Sequence, residues 1–87
     1  MTRILLDVPR SLDDVHEAVA AHPAIPDHYG RNLDALSDVL GDVQDVVVVW
    51  RGVRTSVAAM GADAARLGDV LRDATVANPG VMVAYVW

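Results

Sequence analysis

The chain has 87 residues, 53% of them hydrophobic, no cysteine and a formal net charge of −5. That length lies just above the roughly 70–80 residues below which one core needs a disulfide or metal staple, so residues 1–87 are expected to form a single domain. Without a thiol there is no disulfide, thiolate metal site or redox role; an acidic surface whose cations are all arginine repels phosphate backbones, disfavours direct nucleic-acid binding and favours a positively charged partner.

Residues 2 to 8 read as a first strand, with Ile4, Leu5 and Leu6 apolar on both faces as in a buried parallel sheet. The stretch from Met1 to Val8 is too short, and too soon interrupted by Asp7, for a signal h-region, and no apolar run approaches about 18 residues. A soluble, cytoplasmic protein without membrane association is expected. Ser11 with Asp14 three residues on makes a capping arrangement, Asp13 and Asp14 suit the positive end of a helix dipole, and Leu12, Val15 and Val19 supply an apolar stripe. This helix stops at His22 and Pro23. His22 is favourably placed there when protonated, as a helix-end residue rather than a catalyst.

Residues 26 to 43 hold the densest pattern. Asn32 is a good N-cap, Leu33, Leu36 and Leu40 recur at helical spacing, and Gly41 sits where a glycine would end the last turn. Asp34 and Asp38, four apart, stack on the side away from the leucines, with Ser37 between them and Asp42 one turn further on. Like charges at that spacing cost a helix about 0.2–0.5 kcal/mol per pair, and only Arg31 at the helix start offsets the repulsion locally. In the preceding loop Pro23 and Pro26 stiffen the backbone, His28 and Tyr29 supply rings, and Gly30 permits a sharp entry into the helix. Rigid rings beside aligned carboxylates make a pre-ordered docking surface for a cationic partner.

The β-branched run Val46 to Val49, ending in Trp50, reads as the central strand of a small sheet, covered on both faces. A short helix is expected from Thr55 to Met60, then a break at Gly61 and a new N-cap at Asp63. The final helix runs about Ala64 to Ala77, with Leu67, Val70, Leu71 and Ala74 inward and Arg66, Asp69 and Asp73 opposite. Asn78-Pro79-Gly80 is a turn before a last apolar strand from Val81 to Trp87. The order β-α-α-β-α-α-β implies an α/β fold with a three-stranded parallel sheet and about four helices.

Other chemistries lack their parts. His16 lies near Asp13 and Glu17, and His28 beside Tyr29, but no nucleophile, second base or oxyanion device accompanies them, so no enzyme is expected. Asp34, Asp38, Asp42 and Asp45 cluster in sequence, yet a calcium loop needs alternating oxygen ligands closed by a glutamate, and Glu17, the one glutamate, is remote. Gly52, Gly61 and Gly68 form no phosphate-binding series. Neither a metal nor a cofactor is expected.

Tyr29, Gly30, Asn32, Leu33, Asp34, Ala35, Leu36, Asp38 and Leu40 match the Tyr-Gly-x-Asn-Leu-Asp-Ala-Leu-x-Asp-x-Leu segment of barstar-like proteins, the intracellular inhibitors of barnase-type ribonucleases, and the chain resembles that family. Trp50-Arg51 at the end of a hydrophobic strand, Val70 to Ala74 in a late helix and a closing apolar strand follow in the expected order. The resemblance implies the same α/β fold and an inhibitor that blocks a cationic ribonuclease toxin, barnase-type or divergent, one to one, itself a monomer when free. It implies Asp38 as the central carboxylate inserted among the enzyme's cations, Asp34 flanking it, Tyr29 packed over a catalytic or guanidinium group, and Asp73 adding charge from the final helix. The surrounding His28, Gly30, Asn32, Ser37, Gly41 and Asp42 would complete the contact surface.

Four features depart from the family pattern. Ser37 stands where such proteins often carry tryptophan, His28 replaces a phenol, Arg31 adds a cation at the rim, and the loop after Gly41 is shorter. The alternative is a small interaction module with a non-nuclease or self-associating partner, which an apolar final strand exposed at a sheet edge would favour.

Overall fold

A computed structural model describes all 87 residues. Seven elements follow one another: β1 (Thr2–Asp7), α1 (Leu12–Ala20), α2 (Leu33–Asp42), β2 (Val46–Arg51), α3 (Val53–Met60), α4 (Ala62–Ala77) and β3 (Val81–Val86). The strands form one parallel sheet in the order β1-β2-β3, with Ile4, Val48 and Val83 in one register row and Leu6, Trp50 and Tyr85 in another. The β-branched run is central, as its composition implies.

The sheet is buried on one face only. Ile4, Leu6, Val46, Val48, Trp50 and Val81 point into the core with Val15, Val19, Leu36, Leu40, Leu67 and Leu71 of the helices. The alternate residues are left open: Leu5 is 41% exposed, and Val47 and Val49 are half-buried. Coverage on both faces, expected from the unbroken apolar runs, is therefore corrected. Strand order supplies the reason. Crossovers between parallel strands share one hand, so two crossovers that step in the same direction lay their helices on the same side of the sheet.

Local capping follows the sequence at the first two helices. Ser11 Oγ accepts the Asp14 N–H at 3.2 Å, while the Asp14 carboxylate accepts from Arg10 N–H rather than from Ser11. Asn32 Oδ1 accepts the Ala35 N–H at 2.7 Å and starts α2. The other helix ends differ from expectation. Gly41 lies inside α2, which runs on to Asp42. No left-handed glycine is needed there, because Asn78 Nδ2 donates to the carbonyls of both Leu40 and Val43 at 2.8 Å and satisfies that end from across the molecule.

Similarly, α3 starts at Val53 rather than Thr55, behind Gly52 at φ 72°, where a Cβ would fall 2.8 Å from a Val8 methyl. Gly61 precedes α4 directly, so Asp63 is not the N-cap; it sits in the first turn and pairs with Arg66 at 2.8 Å. At the end of α1, His22 Nδ1 accepts the Ala24 N–H at 3.1 Å and so holds the turn that follows the helix.

Candidate functional site

The loop between α1 and α2 is tied inward at two points. Ile25 is buried, and Tyr29, only 8% exposed, reaches beneath the loop to His16 of α1, its hydroxyl 2.6 Å from Nδ1. Leu12, Val15, His16 and Val19 form an i, i+3, i+4, i+7 series, so the periodicity of α1 already places His16 on the buried stripe. Burial holds the His16 imidazole below its usual pKa of 6.5, with the Asp13 charge opposing and Arg31 adding to the shift. Burial likewise pushes the Tyr29 phenol up to about 12, with Arg31 opposing. Both rings are uncharged at neutral pH, as a buried pair sharing one hydrogen bond requires.

Above this pair the loop and α2 enclose an open groove. One compartment, about 310 Å³, is lined by Pro26, His28, Tyr29, Gly30, Ala35, Asp38, Val39 and Asp42. A second, about 290 Å³, shares Pro26, Val39 and Asp42 and continues toward Val43 and Gln44. The helical spacing of Asp38 and Asp42 thus sets two carboxylates along one wall, with rings at one end and an apolar floor between. Gly30 contributes closeness: a Cβ there would stand 3.2 Å from that of Ala35 and press the loop off the helix.

Not every expected residue joins the groove. Asp34 and Ser37 are exposed on α2 but do not line it. Asn32 uses its amide for capping and for a 3.4 Å bond to the Gly30 carbonyl. Gly41 does not line the groove, and a Cβ added there would meet nothing within 4 Å. Asp73 lies on α4 with its carboxylate 3.8 Å from Arg72. Tyr29 presents only an edge to the groove, because its hydroxyl end is committed to His16. The groove's apolar walls, Ala35 and Val39, carry no chemical signature in sequence; they belong to the site only because the loop folds over them.

Charge pairing divides the carboxylates of the chain. Asp7, Asp63, Asp69 and Asp73 each have an arginine within ion-pair distance, whereas Asp34, Asp38 and Asp42 of α2 have none, and neither do Asp13, Asp14 and Glu17 of α1; of these only Asp38 and Asp42 border the groove. Three aspartates on one helix therefore project a field that no ion pair neutralises. No group of three histidine, aspartate or glutamate side chains converges as a metal cage would require. No helix is long and apolar enough to cross a membrane.

The fold, the capped acidic helix and the loop above it agree with a family comparison that spans almost the whole chain: the model described as barstar, the barnase inhibitor, matches residues 1–86. The chain belongs to the barstar family.

Proposed function

We propose that the protein is an intracellular, non-enzymatic inhibitor of a cationic ribonuclease, barnase-type or divergent, and acts as its antitoxin. A ribonuclease binds RNA phosphates through arginine, lysine and histidine, so its active site is a cationic cleft. Carboxylates presented on a rigid helix occupy that cleft as phosphate mimics, exclude substrate and undergo no reaction. The unpaired carboxylates of α2 carry this conclusion: Asp38 and Asp42 line the groove beside His28 and the Tyr29 edge, and Asp34 extends the charge along the helix. Asp38 is the central group, each chain binds one enzyme, and Asp73 is a peripheral contact whose charge Arg72 partly offsets.

Ser37 leaves the helix face without a large anchor, so the partner meets a shallow surface whose recognition depends on charge. The test is residual RNA cleavage by a panel of barnase-type ribonucleases mixed with wild type and with Asp38→Ala. Stoichiometric inhibition that the substitution removes supports the proposal. Undiminished inhibition by Asp38→Ala would reject the site, and failure against every enzyme in the panel would reject a barnase-type partner.

A further inference from the structure

The groove's second compartment, about 290 Å³, is lined by Ala24, Pro26, Val39, Asp42, Val43 and Gln44. It shares Pro26, Val39 and Asp42 with the compartment that holds Asp38, so Asp42 stands where the two join. Its lining is of two kinds. Ala24, Pro26, Val39 and Val43 give apolar walls, while the Asp42 carboxylate and the Gln44 amide carbonyl supply acceptors. Neither acceptor is spent within the chain: both side chains are exposed, Asp42 has no ion pair, and neither makes a hydrogen bond. No arginine of the chain lines either compartment.

The far wall is held in place from the other side of the molecule. Asn78 Nδ2 donates to the Val43 carbonyl at 2.8 Å, and Gly80 lets the turn before β3 close in, since a Cβ there would fall 2.9 Å from that carbonyl oxygen and 3.1 Å from Gln44 Oε1. The compartment is therefore formed before any partner arrives.

We infer that this compartment is a socket for an arginine side chain of the partner, a second cation beyond the one that meets Asp38; the inference rests on the α2 groove being the ribonuclease-binding surface. Charge selects a cation, because the carboxylate is unpaired and the chain carries −5. Shape selects arginine over lysine. A guanidinium is planar, weakly hydrated and carries its donors in a fixed fork, so it bridges a carboxylate and an amide carbonyl while its stem lies along Pro26 and Val39. An ammonium is a strongly hydrated point charge and gains less from apolar walls. Size limits the occupant to one side chain, for the volume falls just under the roughly 300–1,000 Å³ of small-molecule pockets.

Helix geometry then fixes what the partner must present. Asp38 and Asp42 are one turn apart, about 6 Å along the axis, so one cation lies in the enzyme's cleft and an arginine lies at its rim. Asp42 is thus a specificity determinant. An enzyme with the phosphate-binding cations but no rim arginine engages Asp38 alone and binds more weakly.

Magnetic-resonance titration of the isotope-labelled protein with N-acetyl-arginine amide, and separately with N-acetyl-lysine amide, tests the socket without any ribonuclease. Shift changes should concentrate at Ala24, Val39, Val43 and Gln44, and arginine should bind roughly tenfold more tightly than lysine. Asp42→Asn should abolish that preference. Gln44→Ala, which leaves α2 and the net charge intact, should reduce it should Asp42→Asn fail to fold. Glu17→Gln, which removes the same charge from α1 outside the groove, should leave it unchanged. Equal binding of the two amides, shift changes spread over the acidic surface, or an equal loss in Glu17→Gln overturns the inference, since each means a response to net charge alone. Against a ribonuclease that wild type inhibits, Asp42→Asn should weaken inhibition about tenfold and Glu17→Gln should not. Undiminished inhibition by Asp42→Asn overturns the placing of a partner arginine here. Failure of wild type against every enzyme instead counts against the ribonuclease reading, and the amide titration still decides whether the compartment holds arginine.

Discussion

The groove beside α2 and the bare face of the sheet both meet solvent, but different forces shape them. Beneath the groove lie buried polar groups whose partners are remote in sequence: His16 with Tyr29, and Asn78 with the Leu40 and Val43 carbonyls. No buried side-chain nitrogen or oxygen is left without a partner. The sheet face has no such support and needs none, since the strand ladder and the core behind it hold its side chains in place. The groove is thus a product of specific hydrogen bonds, and the face a product of topology. Changes beneath the groove should alter its shape and leave the face untouched.

Asn78→Ala should have the largest effect. It strips two carbonyls of their donor, and at about 1–3 kcal/mol for each buried unsatisfied group it should cost roughly 3 kcal/mol in denaturant unfolding. Val43 borders the groove, so partner binding should weaken as well. Asp38→Ala should sharpen the contrast from the other side. Binding to the ribonuclease should fall about 100-fold, near 2.7 kcal/mol, measured by titration calorimetry. Unfolding should be unchanged or slightly harder, because a repulsive pair with Asp34 is gone. A domain destabilised by that substitution would make the acidic helix structural rather than functional.

Tyr29→Phe should cost about 1–2 kcal/mol of stability by leaving His16 Nδ1 buried without a partner. The same pair makes stability depend on pH. Burial lowers the folded pKa of His16, so the unfolded chain takes up the proton first; the stability this histidine contributes is present above about pH 6.5 and declines below it. The slope should not exceed about 1.4 kcal/mol per pH unit, and His16→Gln should remove this component from the thermal midpoints recorded between pH 7.5 and 5.5. Leu5→Lys, on the bare face of the sheet, should be the mildest in stability, within about 0.5 kcal/mol of wild type by denaturant unfolding.

Features governed by near neighbours were legible in the chain. Ser11 and Asn32 cap their helices through a group three residues away, and the leucine stripe of α2 and the i, i+4 spacing of its aspartates depend on helical geometry alone. His16 was legible in part: its place in the Leu12, Val15, Val19 stripe marks it for burial, although its neighbouring carboxylates suggest proton transfer. Gly52 was not legible as a helix start. Its reason for being glycine is a Val8 methyl brought against it by β-sheet pairing.

The sequence by itself determined the order of elements, the two locally capped helices, the acidic face of α2 and, through the segment from Tyr29 to Leu40, membership of the family. Tertiary structure alone decided that Tyr29 turns inward to His16, that Asn78 closes the end of α2 in place of Gly41, and that Asp38 and Asp42 share a groove while Asp73 stands apart on α4. It also decided that half of the apolar strand residues meet solvent. A run such as Ile4-Leu5-Leu6 records hydrophobicity but not strand order, and the order β1-β2-β3 places every crossover on one side of the sheet.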